Sequence, residues 1–483
     1  MAHSADFLLT CALDLNIVHL RWTLTLCVGA LACAHWPRFR GPNGAGVSDS
    51  TGLPTEFGPK KNLVWRVEVP VGRSSPIVVK NRIYLTGLEG DKLLTLALDR
   101  QTGRTIWRRD IIRDHTNKIF VGNDTATPTP ASDGENIYTF FPDLGLISFD
   151  AAGEERWRIK LGPFDSFYGL SSSPVVQGNT VALVCDQRNG SFALAADKDS
   201  GRIRWRIERK LATTEGYSTP AMYTPDRGKP HLIVTGTYRV DGYDLETGDN
   251  LWWVGNQGIY PIGSPVLLGN LVIAVGTGSE TPEYPSFDTL LQQLDTNKDG
   301  KLSREECSKD SMMRDHFGWV DIDNDGIITR AEWDQKLKES VAEHGVTGST
   351  IGGAGDRTAS NLVWRYKKSF SNVITPLVYR DVLYLVKSGG IITTLNPKTG
   401  DVYKTGRTKD AIDPYFASPV AGDGKVFLLS LSGKMTVLKA DPQWEVLAVN
   451  DLDEASQATP AIADGRIYIR THKALYSFGT ARN

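Results

Sequence analysis

Ala97-Leu-Asp99-Arg-Gln-Thr102-Gly103-Arg-Thr-Ile-Trp107 reads as a strand, a tight turn and a second strand. The pattern returns as Ala195-Ala-Asp197-Lys-Asp-Ser-Gly201-Arg-Ile-Arg-Trp205 and as Tyr243-Asp244-Leu-Glu-Thr247-Gly248-Asp-Asn-Leu-Trp252. Weaker copies are Asp150…Gly153…Trp157, Asn396…Thr399-Gly400…Tyr403 and Lys439…Trp444. The short oxygen-bearing side chains cap the turn, and the glycine takes a left-handed conformation that a Cβ resists. The tryptophan that follows is read as interlocking core.

A second marker surrounds the first. Ser or Thr followed by proline opens a hydrophobic run eight times, at Pro76, Pro130, Pro174, Pro220, Pro265, Pro376, Pro419 and Pro460. Successive spacings are 54, 44, 46, 45, 111, 43 and 41 residues, so one interval holds an insertion. In five units an aromatic falls eight residues after the proline: Tyr84, Tyr138, Tyr384, Phe427 and Tyr468. Four strands in about 40–45 residues is the arithmetic of a propeller blade. The expected fold is therefore all-β: an eight-bladed β-propeller of four-stranded antiparallel blades with a small helical insertion. Asn62-Leu-Val-Trp65 has no Ser/Thr-Pro hairpin of its own, and the last unit stops at Phe478 without its Trp strand. The strand around Trp65 is therefore expected to complete blade eight and close the ring.

The Asp-x-x-Thr-Gly-x-x-x-Trp copies resemble the repeat of the pyrroloquinoline-quinone-like propeller superfamily, and Trp36-Pro-Arg-Phe-Arg-Gly41-Pro42 resembles the opening of many secreted bacterial members. That superfamily holds both quinoprotein alcohol dehydrogenases and a non-enzymatic lipoprotein of outer-membrane barrel assembly, so the resemblance implies a fold more than a function. For the dehydrogenases it implies an adjacent cysteine pair and a catalytic Asp near a channel-bound Ca²⁺. No Cys-Cys pair exists here, since the five cysteines are Cys11, Cys27, Cys33, Cys185 and Cys307. Pyrroloquinoline quinone is thus the disfavoured alternative, and no catalytic residue is assigned. His115, Asn117, Asp124, Asp186 and Tyr217 are expected near inner strand ends, where they could line one mouth of the ring.

The insertion carries two EF-hand loops. The first is Asp295, Asn297, Asp299, Lys301, Ser303 and Glu306 at positions 1, 3, 5, 7, 9 and 12; the second is Asp321, Asp323, Asp325, Ile327, Thr329 and Glu332. Ca²⁺ is a hard ion that takes six to eight oxygens, which explains short carboxylates or amides at the first three positions and a bidentate Glu at the last. Gly300 and Gly326 at position 6 allow the sharp turn, and Leu302 and Ile328 at position 8 are placed to pair the loops. Phe287, Leu290, Leu291 and Leu294 give the preceding helix one apolar face. Two Ca²⁺ sites are expected. Outside the cytoplasm, where Ca²⁺ keeps even sub-millimolar sites filled, their role reads as structural.

Composition sets the outer bounds. Of 483 residues, 40% are hydrophobic and 23% charged, which fits a folded protein. A net charge of −2, with no basic stripe, excludes bulk attraction to nucleic acid or an anionic membrane. Trp22 to Ala34 is uncharged, follows Arg21 and ends in small residues, so it reads as a signal-peptide core too short to span a bilayer. The expected organisation is a signal peptide at 1–34, an N-terminal extension at 35–60 and blades one to four with the start of blade five at 61–278. The EF-hand pair follows at 279–345, and the rest of blade five with blades six to eight at 346–483. Together these readings describe a periplasmic or secreted monomer, non-catalytic, binding a protein or glycan partner at its loops or channel mouth. Lipid anchoring at Cys33 is the lesser alternative.

Overall fold

Proline has no N–H to give to a ladder, so each Ser/Thr-Pro pair places the strand after it at a free sheet edge. The computed structural model describes residues 36–480 apart from 118, 120–122, 189, 211–214, 279–283 and 341–342. The expected leader and Cys33 lie outside these residues. Eight antiparallel sheets follow one another, each read outward from its short post-proline strand. In the first, Ile77–Val79, Arg82–Glu89, Lys92–Asp99 and Thr105–Ile112 pair in chain order. The innermost strands of successive sheets neighbour one another around a central axis. In the eighth sheet, Ala461–Ala463, Arg466–Arg470 and Ala474–Gly479 are joined by Leu63–Glu68 from the other end of the ring, with Trp65 opposite Ser477.

What locks blade to blade is the turn glycine and the tryptophan. Gly103, Gly153, Gly201, Gly248 and Gly400 all have φ between +72° and +84°. An added Cβ at any of them would lie 2.6–2.8 Å from the indole of the preceding blade: Trp65, Trp107, Trp157, Trp205 and Trp364. Each of these indoles donates from Nε1 to a carbonyl of the same neighbouring turn, at Arg100, Ala151, Lys198, Leu245 and Pro397, over 2.9–3.1 Å. Tyr84, Tyr138 and Tyr468 pack beside Trp107, Trp157 and Trp65. Burying one such ring is worth on the order of 3–5 kcal/mol of transfer free energy.

Two junctions depart from the repeat. Trp444, aligned above with the outer-strand tryptophans, instead sits in a proline-containing turn ahead of Val446–Asp451, where its backbone N–H donates to the Asp441 carbonyl. From there it covers Gly406 of blade six, with the Lys404 ammonium over its ring at 4.3 Å. Between blades four and five, Gly355–Asp356 pairs parallel to Asn250–Val254 and gives blade four a fifth strand. Trp252 there is fully buried and donates to His231 of its own blade.

Blade five is interrupted between Leu271–Gly276 and Gly345–Thr350, which still pair as neighbours. The intervening chain forms α1 (Phe287–Leu294), α2 (Arg304–Cys307), α3 (Ser311–Val320) and α4 (Arg330–Glu339). Leu302 pairs with Ile328. Phe287, Leu290, Met313, Phe317 and Val320 fill one apolar cluster, which also takes in Tyr238 and Ile259 of the propeller. No described helix is long and apolar enough to cross a membrane.

Candidate functional site

The residue before each blade-opening proline is a hydroxyl residue for a reason that the repeat pattern alone does not disclose. Ser75, Thr129, Ser173, Thr219, Ser264, Thr375, Ser418 and Thr459 form a belt around the central channel. Six belt residues donate their backbone N–H to the hydroxyl of the next blade over 2.9–3.1 Å: Ser75 to Thr129, Thr129 to Ser173, Ser173 to Thr219, Ser264 to Thr375, Thr375 to Ser418 and Ser418 to Thr459. Most of the belt's polar capacity thus holds the inner edges of the blades together.

The belt surrounds a cavity of about 1140 Å³. Its floor is Phe39, carried by the segment that begins at Trp36. That segment pairs with Val78 of blade one, accepts the Ser132 N–H of blade two at the Pro37 carbonyl, and exchanges hydrogen bonds with Ala421 of blade seven. Arg40 is fully buried beneath it and donates to the carbonyls of Thr375, Pro376 and Pro419 over 2.8–3.2 Å. Burial without a carboxylate partner pushes Arg40 down to about 9. The stretch from Trp36 to Ser48 therefore lies across one end of the channel.

The open mouth is aromatic, with Phe167, Tyr168, Tyr260 and Phe416 each more than 40% exposed. Glu215 organises the loop that carries two of them. Its carboxylate accepts the Phe167 N–H at 2.7 and 2.8 Å, the Ser166 hydroxyl at 3.1 Å and the Tyr217 hydroxyl, and it pairs with Arg188 at 2.8 Å. Burial, then the bond to Glu215, raises the Tyr217 phenol well above its usual range. Across the mouth Arg73 pairs with Asp124 at 3.2 Å and hydrogen-bonds Gln457.

Of the five polar residues expected at a mouth, Tyr217 lines this cavity. Asp124 stands behind Arg73. Asn117 is buried against Asp143, Asp186 is buried in an ion pair with Arg209, and His115 meets the Pro142 carbonyl. These three serve the blades, and what concealed that from the sequence is that their partners lie more than twenty residues away in the chain. Cys185 is fully buried on Thr180–Cys185, and burial raises its thiol well above the usual value.

Part of the mouth comes from the insertion, since Asp315 and His316 on α3 line the cavity. His316 Nδ1 donates to the Met312 carbonyl at 2.7 Å, so Nε2 accepts the Tyr284 hydroxyl at 2.9 Å. Burial lowers the His316 pKa, which keeps that tautomer neutral.

The loops on either side of α3 share the same backbone turns. Gly300 and Gly326 have φ +79° and +83°, and Lys298 and Asn324 at position 4 are also left-handed. Carboxylate oxygens of Asp321, Asp323 and Asp325 lie within 4.8 Å of one another. Asp321 is 1% exposed, and its Oδ1 has no partner. In the first loop, Asp295 accepts the Gly300 N–H and Asn297 accepts the Asp299 N–H, which turns both side chains inward. Glu306 accepts the Thr296 and Ser303 N–H groups, and Glu332 the Ile322 and Thr329 N–H groups, at 2.9 Å each. Oxygen donors with an orphaned buried carboxylate oxygen among them fit a divalent cation.

For a quinone the fit is poor. The described cavity lining contains no cysteine and no tryptophan, and its carboxylates are Glu215, already engaged fourfold, and Asp315.

An EF-hand family model matches residues 287–306. No curated protein matches the chain in sequence. Among solved structures, BamB from Moraxella catarrhalis is 12% identical with a TM-score of 0.53, over 87% of this chain and 99% of that one. Quinohemoprotein alcohol dehydrogenase from Comamonas testosteroni is also 12% identical, with a TM-score of 0.57 over 93% and 81%. The computationally designed Ika8 protein is 11% identical with a TM-score of 0.52 over 86% and 98%. At such identities they speak for the propeller alone, and an assembly factor, an enzyme and a design share it. Residues 58–188, 143–285 and 333–481 match the family model described as outer membrane protein assembly factor BamB, and with most of its length so matched the chain belongs to that family of repeat propellers.

Proposed function

We propose that this chain is an exported, calcium-binding propeller that acts as a binding module without catalysis, taking a glycan or a segment of a partner protein into its blind, aromatic-mouthed channel. The observation that carries this reading is how the polar lining is used. The belt hydroxyls accept backbone N–H groups, Glu215 holds a loop and Arg188, and Arg73 is held by Asp124. Groups so engaged shape a cup, and they leave exposed rings to meet a ligand face. The two ions are held by Asp295, Asn297, Asp299, Lys301 (carbonyl), Ser303 and Glu306, and by Asp321, Asp323, Asp325, Ile327 (carbonyl), Thr329 and Glu332. Ca²⁺ there neutralises the carboxylates and stiffens the module. BamB, named as an assembly factor, supports a protein partner and a location outside the cytoplasm.

A second reading, an oxidoreductase dependent on pyrroloquinoline quinone, is favoured by the quinohemoprotein neighbour. Absorbance and intact-mass spectra of the mature protein, with and without added pyrroloquinoline quinone and Ca²⁺, separate the two. Two Ca²⁺ per chain and no retained quinone support the binding module. Stoichiometric quinone overturns it.

A further inference from the structure

The EF-hand pair could hang from blade five as an independent appendage, but its packing is of another kind. α3 ends at Val320, and the next residue, Asp321, is at once the cap of that helix and position 1 of the second loop. Its N–H donates to the Phe317 carbonyl at 2.9 Å, while its buried Oδ1 is left for a cation. Five residues earlier on the same helix, His316 faces the channel. The helix is also clamped to the ring: Trp319 stacks on Tyr238 with ring centres 6.1 Å apart, and Ile259 shares the module's apolar cluster. From blade three, the Lys210 ammonium donates to Asn324 of the second loop at 3.2 Å. Metal loop, helix and channel wall are thus one mechanical unit.

Resting on the calcium reading above, we infer that Ca²⁺ in the second loop holds the Asp315–His316 wall of the channel in place, so that the shape and ligand affinity of the mouth depend on that ion. Without a cation, three carboxylates within 4.8 Å repel one another at the point where α3 ends. The exposed Asp323 and Asp325 can swing apart, but the buried Asp321 keeps an unpaired oxygen at the helix end, and it gains a partner only by moving that end. With the cation bound, the repulsion becomes attraction and the helix end is fixed.

The test needs no ligand, only the full chain and the metal. Amide hydrogen exchange is followed by mass spectrometry in Ca²⁺ and in chelator, comparing peptides over 164–173 and 256–264 at the mouth with peptides over 420–440 in blade seven. The expected result is that Ca²⁺ slows exchange at the mouth by about tenfold and leaves blade seven unchanged. Glu332→Gln, which impairs the second loop, abolishes that protection. Trp319→Ala keeps two ions by native mass spectrometry and loses the protection, because it cuts the clamp and spares the ligands. Two bound ions with mouth exchange indifferent to them overturn the inference, and so does protection that survives Trp319→Ala. A chain that binds no Ca²⁺ at all refutes the calcium reading beneath it.

Discussion

Gly201→Ala and Gly178→Ala make a matched pair that isolates the inter-blade lock. Both glycines lie in blade three and both are left-handed, at φ +72° and +56°. A new methyl group brings each the same conformational strain of about 1–2 kcal/mol. They differ in surroundings. A Cβ at Gly178 meets nothing within 4 Å, while one at Gly201 would lie 2.6 Å from Cδ2 of Trp157. The indole must lift, and its 2.9 Å bond to the Lys198 carbonyl goes with it, for about 1 kcal/mol. Partial exposure of the ring adds about 1–2 kcal/mol. The sum is about 3–5 kcal/mol for Gly201→Ala against 1–2 for Gly178→Ala. Urea titration at fixed Ca²⁺, read by tryptophan fluorescence, gives the two midpoints. In a Trp157→Ala background the excess of Gly201→Ala should vanish, because the colliding ring is gone. Equal midpoint shifts for the two single variants would refute the lock.

Three further outcomes are expected. Glu306→Gln and Glu332→Gln should each remove one of two calcium-binding events in titration calorimetry, and both together should leave none. Asp133 sits at the boundary of blades two and three. Burial disfavours its charge, but the Asn136 N–H and Lys198 prevail and hold the carboxyl down to about 2. A depressed carboxyl stabilises the fold above its unfolded pKa, so Asp133→Asn should cost about 1–2 kcal/mol at neutral pH, shrinking as pH falls from about 4 towards 2. Urea midpoints across that range check the sign; a penalty independent of pH contradicts it. Arg40→Met should destabilise the chain by at least about 3 kcal/mol, since it strands the Thr375, Pro376 and Pro419 carbonyls, and it should free the segment from Trp36 to limited proteolysis.

The propeller was legible because its repeat advertises itself twice, at the Ser/Thr-Pro step and at the Gly–Trp turn. The EF-hand loops were legible because metal geometry dictates residue types at fixed offsets. What stayed hidden depends on partners far away in sequence. Trp36 to Gly46 has no periodicity, and its role as channel floor depends on distant partners: Val78, Ser132 and Ala421 for its backbone, and the Thr375, Pro376 and Pro419 carbonyls for Arg40. The Ser/Thr at each blade start was visible as a pattern, but its meaning lies in a bond to the next blade, about 40 residues on. Asn117 and Asp186 look like mouth residues until Asp143 and Arg209 are seen beside them. Nothing in the spacing of Asp315 and His316 tells that α3 reaches the channel.

The eighth sheet, built from both ends of the ring, also imposes an order on synthesis. A chain that leaves the ribosome with its N-terminal end first presents Leu63–Glu68 long before Ala474–Gly479 exists. Through that interval Trp65 can already rest on Gly103, but the strand's ladder partner is still to come. Seven blades must wait as an open horseshoe with two unpaired edges, the geometry most open to pairing with another chain. A stop codon just ahead of Ala474 would therefore remove that strand from the protein and leave every molecule permanently in that vulnerable state.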